Sequence, residues 1–85
     1  MSTRLRKKPV EIVGLKWTGD NVKECANFLG NSFMAHNDTD SKILILTLEG
    51  HMSANKGDWL LRDVNGEHYP CKPDILDKTY DILEE

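Results

Sequence analysis

The spacing of apolar and polar positions changes several times along this chain. Between Val10 and Trp17, Val13, Leu15 and Trp17 fall on one side of an extended segment, with Glu11 a polar lapse at its start. Thr18-Gly19-Asp20 breaks that strand. Val22, Cys25, Ala26, Phe28 and Leu29 then make an apolar stripe at helical spacing. Asn21 followed by Glu24 resembles a capping box, and Gly30 stands where a C-terminal cap belongs, so a helix of about two turns is predicted. A helix this short does not persist alone and is expected to lie on a sheet.

The remainder reads as strands. Ser32 to His36 is one, ended by the polar cluster Asn37-Asp38-Thr39-Asp40-Ser41. Lys42 to Leu48 is apolar on both faces, with Ile43 and Ile45 on one and Leu44, Leu46 and Leu48 on the other. One packed layer buries one face, so the segment Ile43–Leu48 is expected to meet a second layer or a second copy of the chain. Glu49-Gly50 turns into a return strand, His51 to Asn55, and Lys56-Gly57 turns again into Asp58 to Val64. Asn65-Gly66 predicts a type I′ hairpin, because that turn needs positive φ at both central residues. Glu67 to Cys71 returns, with Pro70 marking an edge or a bend. Pro73 to Leu76 predicts one helical turn with Pro at its first position, and Thr79 to Leu83 a closing strand. The sum is α+β: a short helix packed on a strongly bent antiparallel sheet or small open β-barrel. Residues 1–9 read as a flexible basic arm and residues 10–85 as a single domain.

At 85 residues and 9.7 kDa the chain has room for one small core. Eleven basic against fourteen acidic residues give a net charge of −3, which argues against a general duplex-DNA binder. The charge is split: Arg4, Arg6, Lys7 and Lys8 precede a body with seven basic against fourteen acidic residues. Such an arm suits contact with phosphate or an acidic partner, or simple solvation. The longest clean apolar run, Ile43 to Leu46, is far short of the ~20 residues of a membrane span. The basic start leads into no signal-peptide-like stretch, so a cytoplasmic protein without membrane contact is expected. Cys25 and Cys71 stand apart and alone, as two buried thiols rather than a disulfide framework or metal knuckle.

The second half, Gly57-Asp58-Trp59-Leu60-Leu61-Arg62-Asp63-Val64-Asn65-Gly66-Glu67-His68-Tyr69-Pro70-Cys71-Lys72-Pro73-Asp74-Ile75-Leu76 followed by Thr79-Tyr80, resembles a family of small, uncharacterised phage and prophage proteins. Its members carry a "PGDWIIKGVKGEFYPCKPDIFEKTYE"-like C-terminal segment. Trp17 to Asn21 and Thr47 to Gly50 resemble the same family, whereas residues 31 to 42 do not. The chain departs from the pattern at Lys56 (usually Pro), Asp63 (usually Gly), His68 (usually aromatic) and Leu76 (usually Phe). The resemblance implies a phage setting and carries no named activity.

Catalytic and metal chemistry find little purchase. His68 and Cys71 are three apart on a strand, which puts them on opposite faces. Cys25, Cys71, His36, His51 and His68 lack close-ligand spacing beyond that pair. Asp38 with Asp40 and Asp74 with Asp77 lie in turns, where Asp usually serves the backbone. No P-loop or GxGxxG is present, so no enzyme and no cofactor are expected. Trp17, Trp59 and Tyr69 are candidate stacking platforms, and Arg62 and Lys72 candidate phosphate contacts, each weighed against a role in core or solvated surface. With the phage resemblance, the expectation is a non-enzymatic, homo-oligomeric binding protein that sequesters a small anionic, nucleotide-like immune signal between subunits. A protein–protein module, inhibiting a host enzyme or serving the virion, is the alternative. Single-strand nucleic-acid binding is a further one.

Overall fold

The computed structural model describes residues 2, 3 and 12–81. The basic arm Arg4–Lys8 and the acidic end beyond Asp81 lie outside the described residues. The chain is α+β, as the pattern predicts. Its elements are β1 (Val13–Lys16), α1 (Val22–Leu29), a 3₁₀ turn (Gly30–Ser32), β2 (Phe33–Asn37), β3 (Lys42–Thr47), β4 (Gly50–Asn55), β5 (Trp59–Arg62), β6 (His68–Cys71) and α2 (Pro73–Thr79). The strands form two antiparallel three-stranded sheets, ordered β1-β5-β6 and β2-β3-β4. The first is non-local: Val13 pairs with Arg62 and Lys16 with Trp59. The second is a meander whose first pair carries a bulge between Phe33 and Ala35.

One core serves both sheets and α1. Trp17, Cys25, Leu29, Ile43, Ile45, Ala54 and Leu60 are buried together, with Leu15, Val22, Phe28 and Phe33 packed against them. Ile43 and Ile45 therefore face inward as the period-two pattern requires. On the opposite side of β3, Leu44 is half-buried and Leu46 exposed, and Leu48 just beyond the strand is 80% exposed. Within β1 the predicted inward face holds only in part, since Val13 is half-exposed, Leu15 half-buried and Trp17 fully buried.

Three local expectations are corrected. Asn21 precedes α1 but does not cap it with its side chain. Its Oδ1 accepts from the Thr18 amide and hydroxyl, while its Nδ2 donates to the Lys16 carbonyl and to Glu24 Oε1. The amide is spent on the β1–α1 turn. The β5–β6 hairpin is not type I′, because Asn65 does not adopt positive φ whereas Gly66 does, at 83°. The Gly66 amide reaches Asp63 O and the Asp63 amide reaches Glu67 O, both at 3.0 Å, a three-residue loop closed by glycine. Asp63 selects it, its Oδ1 accepting from the Asn65 and Glu67 amides at 2.9 and 3.1 Å. Finally, Thr79 belongs to α2, which runs two turns rather than one. Pro73 at its start, Asp74 in its first turn and Lys78 in its last all suit a helix, and Tyr80 beyond it is extended without joining a sheet.

Gly14 marks a close approach within the first sheet. A methyl there would stand 3.0 Å from Leu61 Cδ2 and 3.3 Å from Trp59 Cε3. Gly14→Ala is therefore expected to destabilise the protein by about 1–3 kcal/mol, the usual range for overpacking. Thermal and urea unfolding check this, and an unchanged midpoint would contradict the packing of Trp59 and Leu61 across β1.

Candidate functional site

The five residues singled out from the sequence do not converge. Trp17 is fully buried, donates its indole N–H to the Ser41 carbonyl at 2.7 Å, and meets His36 edge-on at 5.5 Å between ring centroids. It is a core residue and offers no face to a ligand. Alternation on β5 sends Trp59 to one side of the sheet and Arg62 to the other. Tyr69 pairs with Leu61 and shares the Trp59 face. Lys72 lies past the end of β6, immediately before α2.

Both candidate phosphate contacts have intramolecular partners. The Arg62 guanidinium lies over the Phe28 ring, 4.8 Å from its centroid. Lys72 Nζ meets Asp58 Oδ2 at 2.9 Å. Asp58 is almost completely buried, and the same oxygen accepts from the Asn55 amide at 2.9 Å. Asp58 thereby braces the β4–β5 turn and ties it to the start of α2. Arg62 and Lys72 would each have to leave a partner to take an anion.

His68 and Cys71 are apart in space as well as by alternation. His68 is nine-tenths buried, its Nδ1 3.1 Å from Ser32 Oγ and its ring edge-on to Phe28 at 5.5 Å. Its Nε2 is buried without a hydrogen-bond partner. Burial lowers its pKa from 6.5, the nearby Arg62 charge adds to that, and the Phe28 backbone and Asp63 carboxylate pull the other way. Cys71 is half-buried, its thiol reaching the Lys72 carbonyl at 3.6 Å, and burial followed by the Asp58 and Asp74 charges raises its pKa. Cys25 is fully buried and raised to about 11, by desolvation first and Glu24 second. Neither thiol is set up as a nucleophile. Among the described residues, no three His, Cys, Asp or Glu side chains are grouped to hold a metal ion.

A cleft of about 300 Å³ opens between the β3–β4 hairpin, which contributes Thr47, Leu48, Glu49 and Met52, and the β5–β6 hairpin, which contributes Asp63, Glu67, His68, Tyr69 and Pro70. The Thr47 hydroxyl holds the first wall in place, donating to the Gly50 carbonyl at 2.7 Å and accepting from the Glu49 amide at 3.1 Å. Leu48 and Glu49 are thus presented outward on a braced turn. Asp63 braces the second wall through its turn. Tyr69 is the one sequence candidate that reaches the cleft. Its pKa is pushed up to about 12, by burial first and then by hydrogen bonding with Tyr80, so the phenol stays protonated. Among the described residues the lining carries three carboxylates and no lysine or arginine. Sequence reasoning missed it because it forms between segments far apart in the chain. The available signal was acidic residues in both turns beside an outward-facing leucine.

Because the His68 pKa is lower in the fold than the 6.5 of the unfolded chain, stability is expected to fall as pH drops below that value and to level off beneath the lowered folded pKa. His68→Phe removes the titrating group, so the wild-type minus variant difference in unfolding free energy between pH 7.5 and 5.5 is the readout; parallel curves would contradict it. At the Asp58 brace, Asp58→Ala is expected to cost about 1–3 kcal/mol, since it strands the Asn55 amide. Lys72→Ala, at a side chain 55% exposed, should cost under about 1 kcal/mol. Urea unfolding of the two variants decides the order.

No protein-family model matches the chain, and no curated protein or solved structure is significantly similar to it.

Proposed function

We propose that this chain is a non-enzymatic protein-binding module, whose contact surface is the cleft between the β3–β4 turn and the β5–β6 hairpin. The observation that carries this reading is the outward apolar presentation around that cleft. Leu48 is 80% exposed on a turn braced by Thr47, and Met52 beside it is 38% exposed. Leu46 adds further exposed apolar surface on β3. A leucine held outward in a small domain gains by being covered, and a protein surface is the usual cover. A second copy contacting through the segment Ile43–Leu48 would use only Leu44, Leu46 and Leu48, since Ile43 and Ile45 are in the core. The phage resemblance supplies a setting in which an inhibitor of a host enzyme or a virion accessory makes sense. Capture of an anionic, nucleotide-like signal is the competing reading. It would draw on Arg62 and Lys72, which are engaged with Phe28 and Asp58, and its ligand would meet carboxylates in the cleft. No helix of the described residues is long and apolar enough to cross a membrane.

Native mass spectrometry of the tagged protein recovered from bacterial lysate separates these readings. The expected result is a protein partner whose retention is lost in Leu48→Glu and kept in Arg62→Gln and Lys72→Gln. An intact small-molecule adduct lost in Arg62→Gln or Lys72→Gln would overturn the proposal in favour of sequestration. Retention indifferent to Leu48→Glu would overturn it as well.

A further inference from the structure

We infer that the cleft receives an extended protein segment in which an arginine or lysine and a large apolar side chain stand two positions apart, and so on the same face. The inference rests on the protein-binding reading above and specifies its partner. The walls offer two kinds of contact side by side. Leu48, Met52 and Pro70 supply apolar surface, and Glu49, Asp63 and Glu67 supply three negative charges, with no cation in the lining among the described residues. The Tyr69 phenol, kept protonated by burial and by hydrogen bonding with Tyr80, adds a neutral polar group to the lining.

Charge complementarity excludes the other natural guests. A phosphate or an acidic peptide would enter against three carboxylates, with Arg62 and Lys72 turned to partners outside the cleft. A purely apolar segment would desolvate Asp63 and Glu67, both already half-buried, without compensation. A guanidinium or ammonium on an aliphatic stem satisfies both halves, its stem against Leu48 and Met52 and its head among the carboxylates. The cavity of about 300 Å³ is of side-chain rather than domain size, so one cationic side chain inserts and the apolar side chain two positions along covers Leu48. The carboxylates of Glu49, which is exposed, and Glu67, which is half-buried, can be neutralised with little effect on the fold. Asp63 cannot, because it holds the hairpin.

The test is fluorescence anisotropy with a capped, labelled hexapeptide carrying arginine, leucine and arginine at its odd positions with serine between them, and its counterpart with glutamine for each arginine. The full-length protein is expected to bind the arginine peptide at least ten-fold tighter than the glutamine peptide. The double variant Glu49→Gln/Glu67→Gln should lose at least ten-fold, and raising sodium chloride from 50 to 300 mM should weaken wild-type binding several-fold. Leu48→Ser should weaken it at any salt concentration. A parallel chain with Arg4, Arg6, Lys7 and Lys8 changed to glutamine keeps a negative result readable if the chain's own cations compete. Circular dichroism confirms that each variant is folded. Equal binding of the two peptides, or binding indifferent to the glutamate changes, overturns the inference, as does absence of binding to both chains. Persistence of a Leu48→Glu-sensitive protein partner in lysate after such a failure would leave the binding module standing with a different guest; loss of both would remove the module too.

Discussion

The fold hinges on Trp17. Its backbone extends the first sheet past β1, the amide donating to the Asp58 carbonyl at 2.9 Å and the carbonyl accepting from the Gly57 amide at 2.7 Å. Its side chain crosses to the second sheet, where the indole N–H satisfies the Ser41 carbonyl in the β2–β3 turn. One residue thus fixes the backbone of one sheet and fills the core beneath the other. A buried indole needs such an acceptor, and Ser41 provides it from a left-handed turn conformation with φ of 52°. Asp58 secures the same junction from the other direction, holding the β4–β5 turn against the start of α2 through a buried carboxylate. Everything at the cleft end is positioned by these two anchors, because both hairpins that wall it extend from strands they tie together.

Much of the fold is legible locally. The helical stripe from Val22 to Leu29, the glycine that ends it and the inward pair Ile43 and Ile45 follow from period alone. The misreadings arise where a side chain has two possible uses. Asn21 resembles a cap until Thr18 and Lys16 compete for its amide. Asn65-Gly66 resembles a type I′ turn until Asp63 draws the neighbouring amides into a longer loop. Trp17 and Trp59 look alike as aromatic platforms in sequence, and only tertiary packing buries the first completely while leaving the second half-covered. The cleft has no local signature because its walls are separated in the chain and meet only through the packing of the two sheets.

This arrangement divides the molecule by chemistry. Toward α1, polar groups are consumed internally: Arg62 on Phe28, His68 against Ser32. At the hairpin end, turns are braced by their own side chains, and what they present outward is leucine, methionine and carboxylate. On the binding reading proposed above, a scaffold that engages Arg62 and Lys72 within itself and leaves acids and apolar groups at one end suits recognition by shape and charge.

The strand order also dictates how the chain acquires its structure. The meander β2-β3-β4 joins neighbours through short turns and closes its pairings at small sequence separation. β1 finds its partner only in β5, residue 13 against residue 62, so the loop entropy of that pairing is met late. During synthesis β1 and α1 therefore emerge well before the strand that completes their sheet. Until β5 arrives, Trp17 lacks the backbone partners at Gly57 and Asp58 that hold it in place. The nascent chain carries an exposed tryptophan and an unpaired strand edge for about half of its length, a window in which a chaperone or premature pairing with another chain can intervene.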